Sequence, residues 1–239
     1  MAERELLLMV QMTCSREYLE PFTTWYNSHL PNLLRIPGYQ WAQRYVNLEG
    51  GTRFTAFYGV RSAEDLPSLL QFGGPNLHHI AASEYSVFST LQGTGDHISN
   101  VYEQVSGAPL RDPLLLSDRP LSIVTADVDP AREAEWDRWY TESHLPGVLN
   151  VPGYVCGARF RRLDHPALQD FNTGPKYLAI YECESEDILP TLVPGDSIHP
   201  EAEAEAELAR WQAYGALHAR NFGWGFYRLI SKHFKWTDV

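Results

Sequence analysis

The sequence predicts an α+β protein made of two successive units, each running strand, helix, strand, strand, helix, strand. Three observations carry this. A chain of 239 residues has room for two domains of roughly 100 to 130 residues. The stretch WYNSHLPNLLRIPGYQWAQRY, beginning at Trp25, is written again as WYTESHLPGVLNVPGYVCGARF, beginning at Trp139. From SHLP through PGY the two align without a gap, placing His29 on His144 and Tyr39 on Tyr154, with Arg44 on Arg159 beyond. The match then resumes: RFTAFYGV (Arg53 to Val60) parallels KYLAIYEC (Lys176 to Cys183), and GPNLH ending at His78 resembles GDSIH ending at His199. NVYEQVS and GFYRLIS close the two copies. Similarity at several ordered places is what a tandem duplication leaves behind.

The elements follow in order. Leu6 to Met12 is an apolar strand, and Ser15 is placed to cap a helix running to about His29. Leu30-Pro31 should end that helix, since the residue before proline avoids helical backbone. Tyr39 to Val46 and Arg53 to Val60 read as strands around a Glu49-Gly50-Gly51 turn. A second helical region lies within Ser62 to Thr90, broken by G-G-P at 73–75, and a last strand covers roughly Ile98 to Val105. The second copy gives Leu121 to Val128, Pro130 to His144, Tyr154 to Arg161, Lys176 to Glu182, Glu201 to Ala219 and Phe222 to Ile230. Asp129 before Pro130 is a good helix start. Ser106 to Pro120 has the proline and charge content of a linker. The expected division is 1–105, a linker at 106–119, and 120–239.

A β-α-β-β-α-β unit is the ferredoxin-like arrangement, with helices on one face of a four-stranded antiparallel sheet. In Arg53 to Val60 neither alternating set of side chains is polar, so both sheet faces need cover. Two repeats packed sheet to sheet, as an α+β barrel within one chain, would supply it. A monomer then suffices, and a homodimer stays open.

Composition narrows the function. Hydrophobic residues make up 44%, charged residues 21% and aromatic residues 13%, the profile of a globular chain with a core partly built from rings. Thirty acids against 19 bases give a net charge of −11, the wrong sign for a phosphate-backbone binder. No run approaches ~18 apolar residues, so no membrane partner is expected. The opening MAERELLLMVQMT lacks the basic start of a secretory signal and reads as a first strand in a cytoplasmic protein. Cys14, Cys156 and Cys183 form no C-x-x-C pair and read as small buried hydrophobes. No H-x-x-x-H, H-E-x-x-H, G-x-G-x-x-G, P-loop or G-x-S-x-G occurs, so no metal site or nucleotide cofactor is expected.

The motif W-Y-x-(E)-S-H-L-P…V-P-G-Y…A-R-(Y/F) resembles the dimeric α+β barrel superfamily, particularly its EthD-like members, across both halves of the chain. The resemblance implies a pocket between sheet and helices more than it implies one reaction. Related barrels include cofactor-free monooxygenases, polyketide cyclases, muconolactone isomerase-like enzymes and haem-dependent chlorite dismutases.

The best chemical candidates are His29 and His144, ending the first helices one turn after Trp25 and Tyr140, so that each shares a helix face with an aromatic ring. An imidazole near neutrality beside aromatic walls suits acid/base work on an aromatic or enolisable molecule; it could instead cap helix carbonyls. Trp136, Tyr140 and His144 form a stripe, approximated in the first copy by Phe22, Trp25 and His29. Counting back from the histidines, Tyr26 and Tyr140 are not equivalent, because WYTESHLP holds one residue more. Arg44 and Arg159 could hold a carboxylate or phenolate in bidentate fashion, or pair with a helix acid. Tyr58 and Tyr181 are equivalent strand tyrosines. His218 shares a helical face with Leu208 and Trp211, which makes it a core residue, a pocket acid/base or a haem ligand. The E-A repeats before it read as a solvated face.

The leading expectation is a cofactor-independent lyase, isomerase or cyclase acting on a small aromatic or polyketide-like molecule. His144 or His29, with Tyr140 and His218, would do the chemistry, and Arg159, Arg44, Tyr58, Tyr181, Trp139, Trp25 and Trp211 would bind substrate. Two alternatives stand beside it: a haem enzyme with His218, His199 or His144 as axial ligand, and a non-catalytic binding protein.

Overall fold

The computed structural model describes residues 5–187, 202–231 and 234–235. Their contacts group into two compact units. The first is drawn from the chain up to Glu103, from Arg162–Gly174 and from the chain beyond Leu229; the second comprises Gln104–Arg161 and Pro175–Arg228.

In the first unit β1 (Leu6–Cys14) leads through a short turn to α1 (Leu19–Leu34). Then come β2 (Tyr39–Asn47), β3 (Arg53–Val60), the single turn α2 (Leu66–Leu69), α3 (His79–Phe88) and β4 (Thr94–Gly107). The strands pair antiparallel in the order β2-β3-β1-β4, with Tyr58 opposite both Leu8 and Ala42, and Leu8 also opposite Val101. The second unit holds β5 (Leu121–Val128), α4 (Glu133–Trp139), α5 (Leu145–Leu149), β6 (Tyr154–Arg162), β7 (Tyr177–Cys183), α6 (Ala202–Arg210), α7 (Ala216–His218) and β8 (Ala219–Leu229). Its order is β6-β7-β5-β8, with Tyr181 opposite Ser122 and Gly157. A short β9 (Phe234–Lys235) pairs with Trp41 and Ala42 on β2. Each unit is thus an antiparallel sheet with helices in its crossovers, the α+β class expected. The Gly50-Gly51 turn has positive φ at both glycines, 96° and 67°, backbone that favours glycine.

Both sheets are buried as their composition demands. Phe54, Ala56 and Tyr58 join a core with Leu8, Phe22 and Leu30, and the alternate residues Thr55 and Phe57 are also fully buried. In the second unit Trp136, Tyr140, Ala179 and Tyr181 form the corresponding cluster. Among the described residues no helix is long and apolar enough to cross a membrane.

Several boundaries differ from expectation. α1 does not stop at Leu30; it continues to Leu34 with Pro31 inside it. Leu30, Leu33 and Leu34 are all buried. Burying three leucines at ~1.5–3 kcal/mol each outweighs the ~3 kcal/mol that an internal proline costs. The second copy also stays helical beyond its proline, to Leu149. Its extra residue is absorbed in a π-type turn, Tyr140–His144, between α4 and α5. The helix expected over Glu201 to Ala219 likewise contains a π-type turn, Trp211–Gly215, before α7; Glu201 lies outside the described residues. The Ser106–Pro120 segment is no slack tether: Leu114 and Leu115 are fully buried, and the Glu182 carboxylate accepts from the Leu115 N–H at 2.7 Å and the Ser117 hydroxyl at 2.9 Å.

Candidate active site

Each unit holds a cavity between its sheet and its helices, about 210 Å³ in the second unit and about 270 Å³ in the first. One set of side chains recurs at both. His144 Nδ1 lies 2.5 Å from Glu207 Oε1, and His29 Nδ1 lies 2.8 Å from Glu84 Oε2; all four residues are buried. With a neutral imidazole the Nδ1–H donates to the carboxylate, which leaves Nε2 as an acceptor in a ring that lines the cavity. Among the described residues Nε2 has no hydrogen-bond partner in either ring.

The π-type turn explains how the copies match despite their different spacing. Inserting one residue into an α-helix would swing everything beyond it by about 100°. A π turn takes up the extra residue instead. Tyr140 therefore does what Tyr26 does, contrary to the count from the histidines. Its hydroxyl lies 3.0 Å from that of Tyr181, and its ring sits under the Arg159 guanidinium at 4.3 Å. Tyr26 likewise pairs with Tyr58 and lies 4.1 Å from the Arg44 guanidinium. The counterpart of Trp136–Tyr140–His144 is Phe22–Tyr26–His29.

The other expected site residues separate into groups. Trp25 and Trp211 line the cavities, while Trp139 stacks on His144 at 5.1 Å and 12°. Tyr58 and Tyr181 line them too. The arginines stand behind the tyrosines and outside both cavity linings. Arg159 donates to Asp137 Oδ1 at 2.7 Å, to the Asp137 carbonyl at 3.0 Å and to Thr141 at 2.5 Å, so it positions Tyr140 rather than meeting a ligand. Arg44 is enclosed by the rings of Phe22, Tyr26 and Phe54. His218 is not brought to the site. The turn at Trp211–Gly215 breaks the helical phase that would align it with Trp211, and it packs on Tyr214 instead. His78 caps α3, accepting from the Ile80 N–H at 3.2 Å; His199 lies outside the described residues.

Glu84 and Glu207 are the residues that sequence reasoning missed. Glu207 belongs to the E-A run, yet it turns inward. Its Oε2 accepts from Arg210 Nε at 2.6 Å, whereas Glu84 Oε1 accepts from the neutral Asn32 amide at 2.6 Å. The same spacing of 26 residues separates Tyr58 from Glu84 and Tyr181 from Glu207, but aligning His78 on His199 sets Glu84 against Glu205 and hides it.

Burial sets the electrostatics. It pushes the Glu84 carboxyl up, but hydrogen bonds from His29 and Asn32 outweigh it and hold the group below the usual carboxylate range. Burial lowers His29, more than the Glu84 bond and charge raise it, and Arg44 adds to the lowering. The pair is therefore a neutral imidazole on a carboxylate. Burial drives Tyr26 to about 12 and Tyr181 well above the ordinary phenol value, keeping both hydroxyls protonated. It also raises the Cys156 thiol to about 11 and that of Cys183 to about 12, so neither supplies a thiolate near neutrality. All three cysteines are buried, as read from the sequence.

Haem fits these residues poorly. Among the described residues no lysine or arginine lines either cavity to meet two propionates. A dry cavity of ~150 Å³ holds one benzene ring, so these volumes suit one or two fused rings, not a porphyrin. Among the described residues no group of three or more His, Cys, Asp or Glu side chains could hold a metal ion.

No protein-family model matches the sequence, and no curated protein matches it. Solved structures do. An anthrone oxidase-like protein aligns over 96% of this chain and 92% of its own at 16% identity, TM-score 0.66. A monooxygenase-like protein of Fusobacterium nucleatum subsp. nucleatum aligns over 98% and 99% at 8% identity, TM-score 0.60. A variant of the chlorite dismutase of Candidatus Nitrospira defluvii aligns over 95% and 91% at 11% identity, TM-score 0.52. At such identities the likeness speaks for architecture alone, and the chain has the ferredoxin-like α+β fold of these proteins.

Proposed function

We propose that the chain is an enzyme that works by acid/base catalysis, without a bound cofactor, on a small aromatic or polyketide-like molecule. On this reading it is a lyase, isomerase or cyclase built from two duplicated, EthD-like ferredoxin repeats. The observation that carries the reading is the buried His144–Glu207 pair at 2.5 Å beside an apolar cavity.

His144 Nε2 takes a proton from an acidic C–H next to a carbonyl. The C–H bond breaks, an N–H bond forms, and the electron pair moves onto the carbonyl oxygen. Glu207 faces the imidazolium that results, and the Tyr140–Tyr181 hydroxyl pair donates to the oxyanion. The second unit suits this chemistry because Arg210 already offsets the Glu207 charge. Imidazolium and enolate then form in a site that starts near neutral. In the first unit Glu84 is held by a neutral amide, so the same step would take place in a site that starts negative. Reprotonation elsewhere gives isomerisation, loss of a leaving group gives elimination, and attack on a second carbonyl gives cyclisation.

Deuterium exchange of 2-tetralone, followed by proton NMR, tests the reading. The wild-type chain should accelerate exchange. His144→Asn should lose about 100-fold or more, the usual worth of a general base, and Glu207→Gln about tenfold, while His29→Asn stays near wild type. Full exchange in His144→Asn overturns the assignment. Two structural neighbours carry oxidase and monooxygenase names; oxygen uptake in the same assay separates a carbanion that is reprotonated from one captured by dioxygen.

A further inference from the structure

We propose that the first unit's cavity is a second ligand site, non-equivalent to the first, that takes a small organic cation carried on an aromatic or aliphatic body. Its walls are rings: Trp25, Tyr26, Tyr58, Phe88 and Phe171 all border it. Ring faces attract cations, most strongly where water is excluded. Two carboxylates border the same space, Glu84 inside and Asp170 at the exposed rim. Glu84 keeps its charge, since His29 and Asn32 both donate to it. Among the described residues no lysine or arginine lines the cavity. The one buried cation nearby, Arg44, lies over the rings of Phe22, Tyr26 and Phe54 and outside the lining. Counting it against Glu84 and Asp170 still leaves the site negative.

The second unit's cavity shows the contrast. Its carboxylate, Glu207, is paired with Arg210, and among the described residues no aspartate lines it; Phe222 and Trp224 do. Two cavities with the same imidazole–carboxylate pair thus differ in charge. The polar rim of the first comes from Arg162–Gly174, a loop lengthened in the second copy of the sequence yet part of the first unit. Ser99 Oγ donates to the Phe171 carbonyl at 2.6 Å and the Ser99 N–H to Thr173 Oγ1 at 3.1 Å, so Asp170 and Phe171 are held at the cavity by β4.

Titration calorimetry on the full chain tests this with three probes of one shape: 2-phenylethylamine as the ammonium, 2-phenylethanol and phenylacetate. The ammonium should bind about tenfold tighter than the alcohol, within the range of a desolvated cation–ring contact, and phenylacetate should bind weakest. Asp170→Asn should weaken the ammonium about three- to fivefold, as expected of a partly exposed charge, and leave the alcohol unchanged. Asp170 is exposed, so this variant keeps its fold; Asp170→Lys should weaken the ammonium further and strengthen phenylacetate. Equal affinity for the three probes, or no response to either substitution, overturns the proposal. Tetralone exchange through His144 reads the other cavity, so either result can fail without the other.

Discussion

At His29 the chemistry of a single side chain shows in the stability of the whole unit. Its folded-state value lies below the ordinary histidine value, so as pH falls through about 6.5 the unfolded chain takes up the proton first. Stability contributed by the neutral ring is therefore lost as pH drops below that point. Glu84, held below its ordinary value, contributes stability that persists above ~4.3 and disappears as pH falls through its folded value. Chemical denaturation of the wild type between about pH 7.5 and 5 should show a falling free energy of unfolding, and His29→Gln should flatten that slope. An unchanged slope in the variant would mean that His29 is protonated in the fold. The histidines, the strand tyrosines and the arginines were legible in the sequence because the repeat doubles them. The carboxylates were not, since in E-A-E-A-E-A-E every acid looks alike until the sheet decides which one faces inward. The roles of Arg44 and Arg159 were hidden for a related reason: sequence places them on a strand, but only packing shows a tyrosine ring between each guanidinium and the cavity.

At the scale of the element, the informative feature is the π-type turn at Tyr140–His144. In sequence it is one surplus residue, and it makes the two copies look out of phase. In three dimensions it restores the phase, giving Tyr140 and His144 the partners that Tyr26 and His29 have without it. Removing Glu142 should therefore convert the turn to regular helix of the α1 kind. The expected outcome is a folded protein within about 1 kcal/mol of wild type, a few degrees in melting temperature at this size, with His144-dependent exchange retained. Loss of the fold on this deletion would show that the turn itself is required. Some strands were legible almost to the residue: Tyr39 and Arg53 start β2 and β3 as read around the Glu49-Gly50-Gly51 turn, whereas β4 begins at Thr94, before the expected Ile98, and β8 at Ala219, before the expected Phe222. Helix ends were not, because proline's local preference was outweighed by the leucines after Pro31.

At the scale of the molecule, the likeness between the halves coexists with an exchange of parts. Contacts group the chain into two compact units whose bounds cross the doubled pattern, with Arg162–Gly174 assigned to the first. Leu168 is fully buried in that unit's core, and Phe171 packs on it. Shortening the loop between Leu163 and Asp170 should abolish ammonium binding by the first cavity and leave tetralone exchange intact; calorimetry and NMR on one preparation check both. No periodicity in the sequence announced the exchange. A loop's address depends on which backbone it hydrogen-bonds, here the Leu163 N–H to the Val101 carbonyl and the Thr173 N–H to that of Ser99.

That borrowed wall makes the two halves of the sequence depend on each other. A gene fragment stopping at the end of the first copy would encode a hollow lacking one side. Changes around residue 170 would alter what is held beside a helix that precedes it by well over a hundred residues. Neither half of the sequence encloses that hollow on its own.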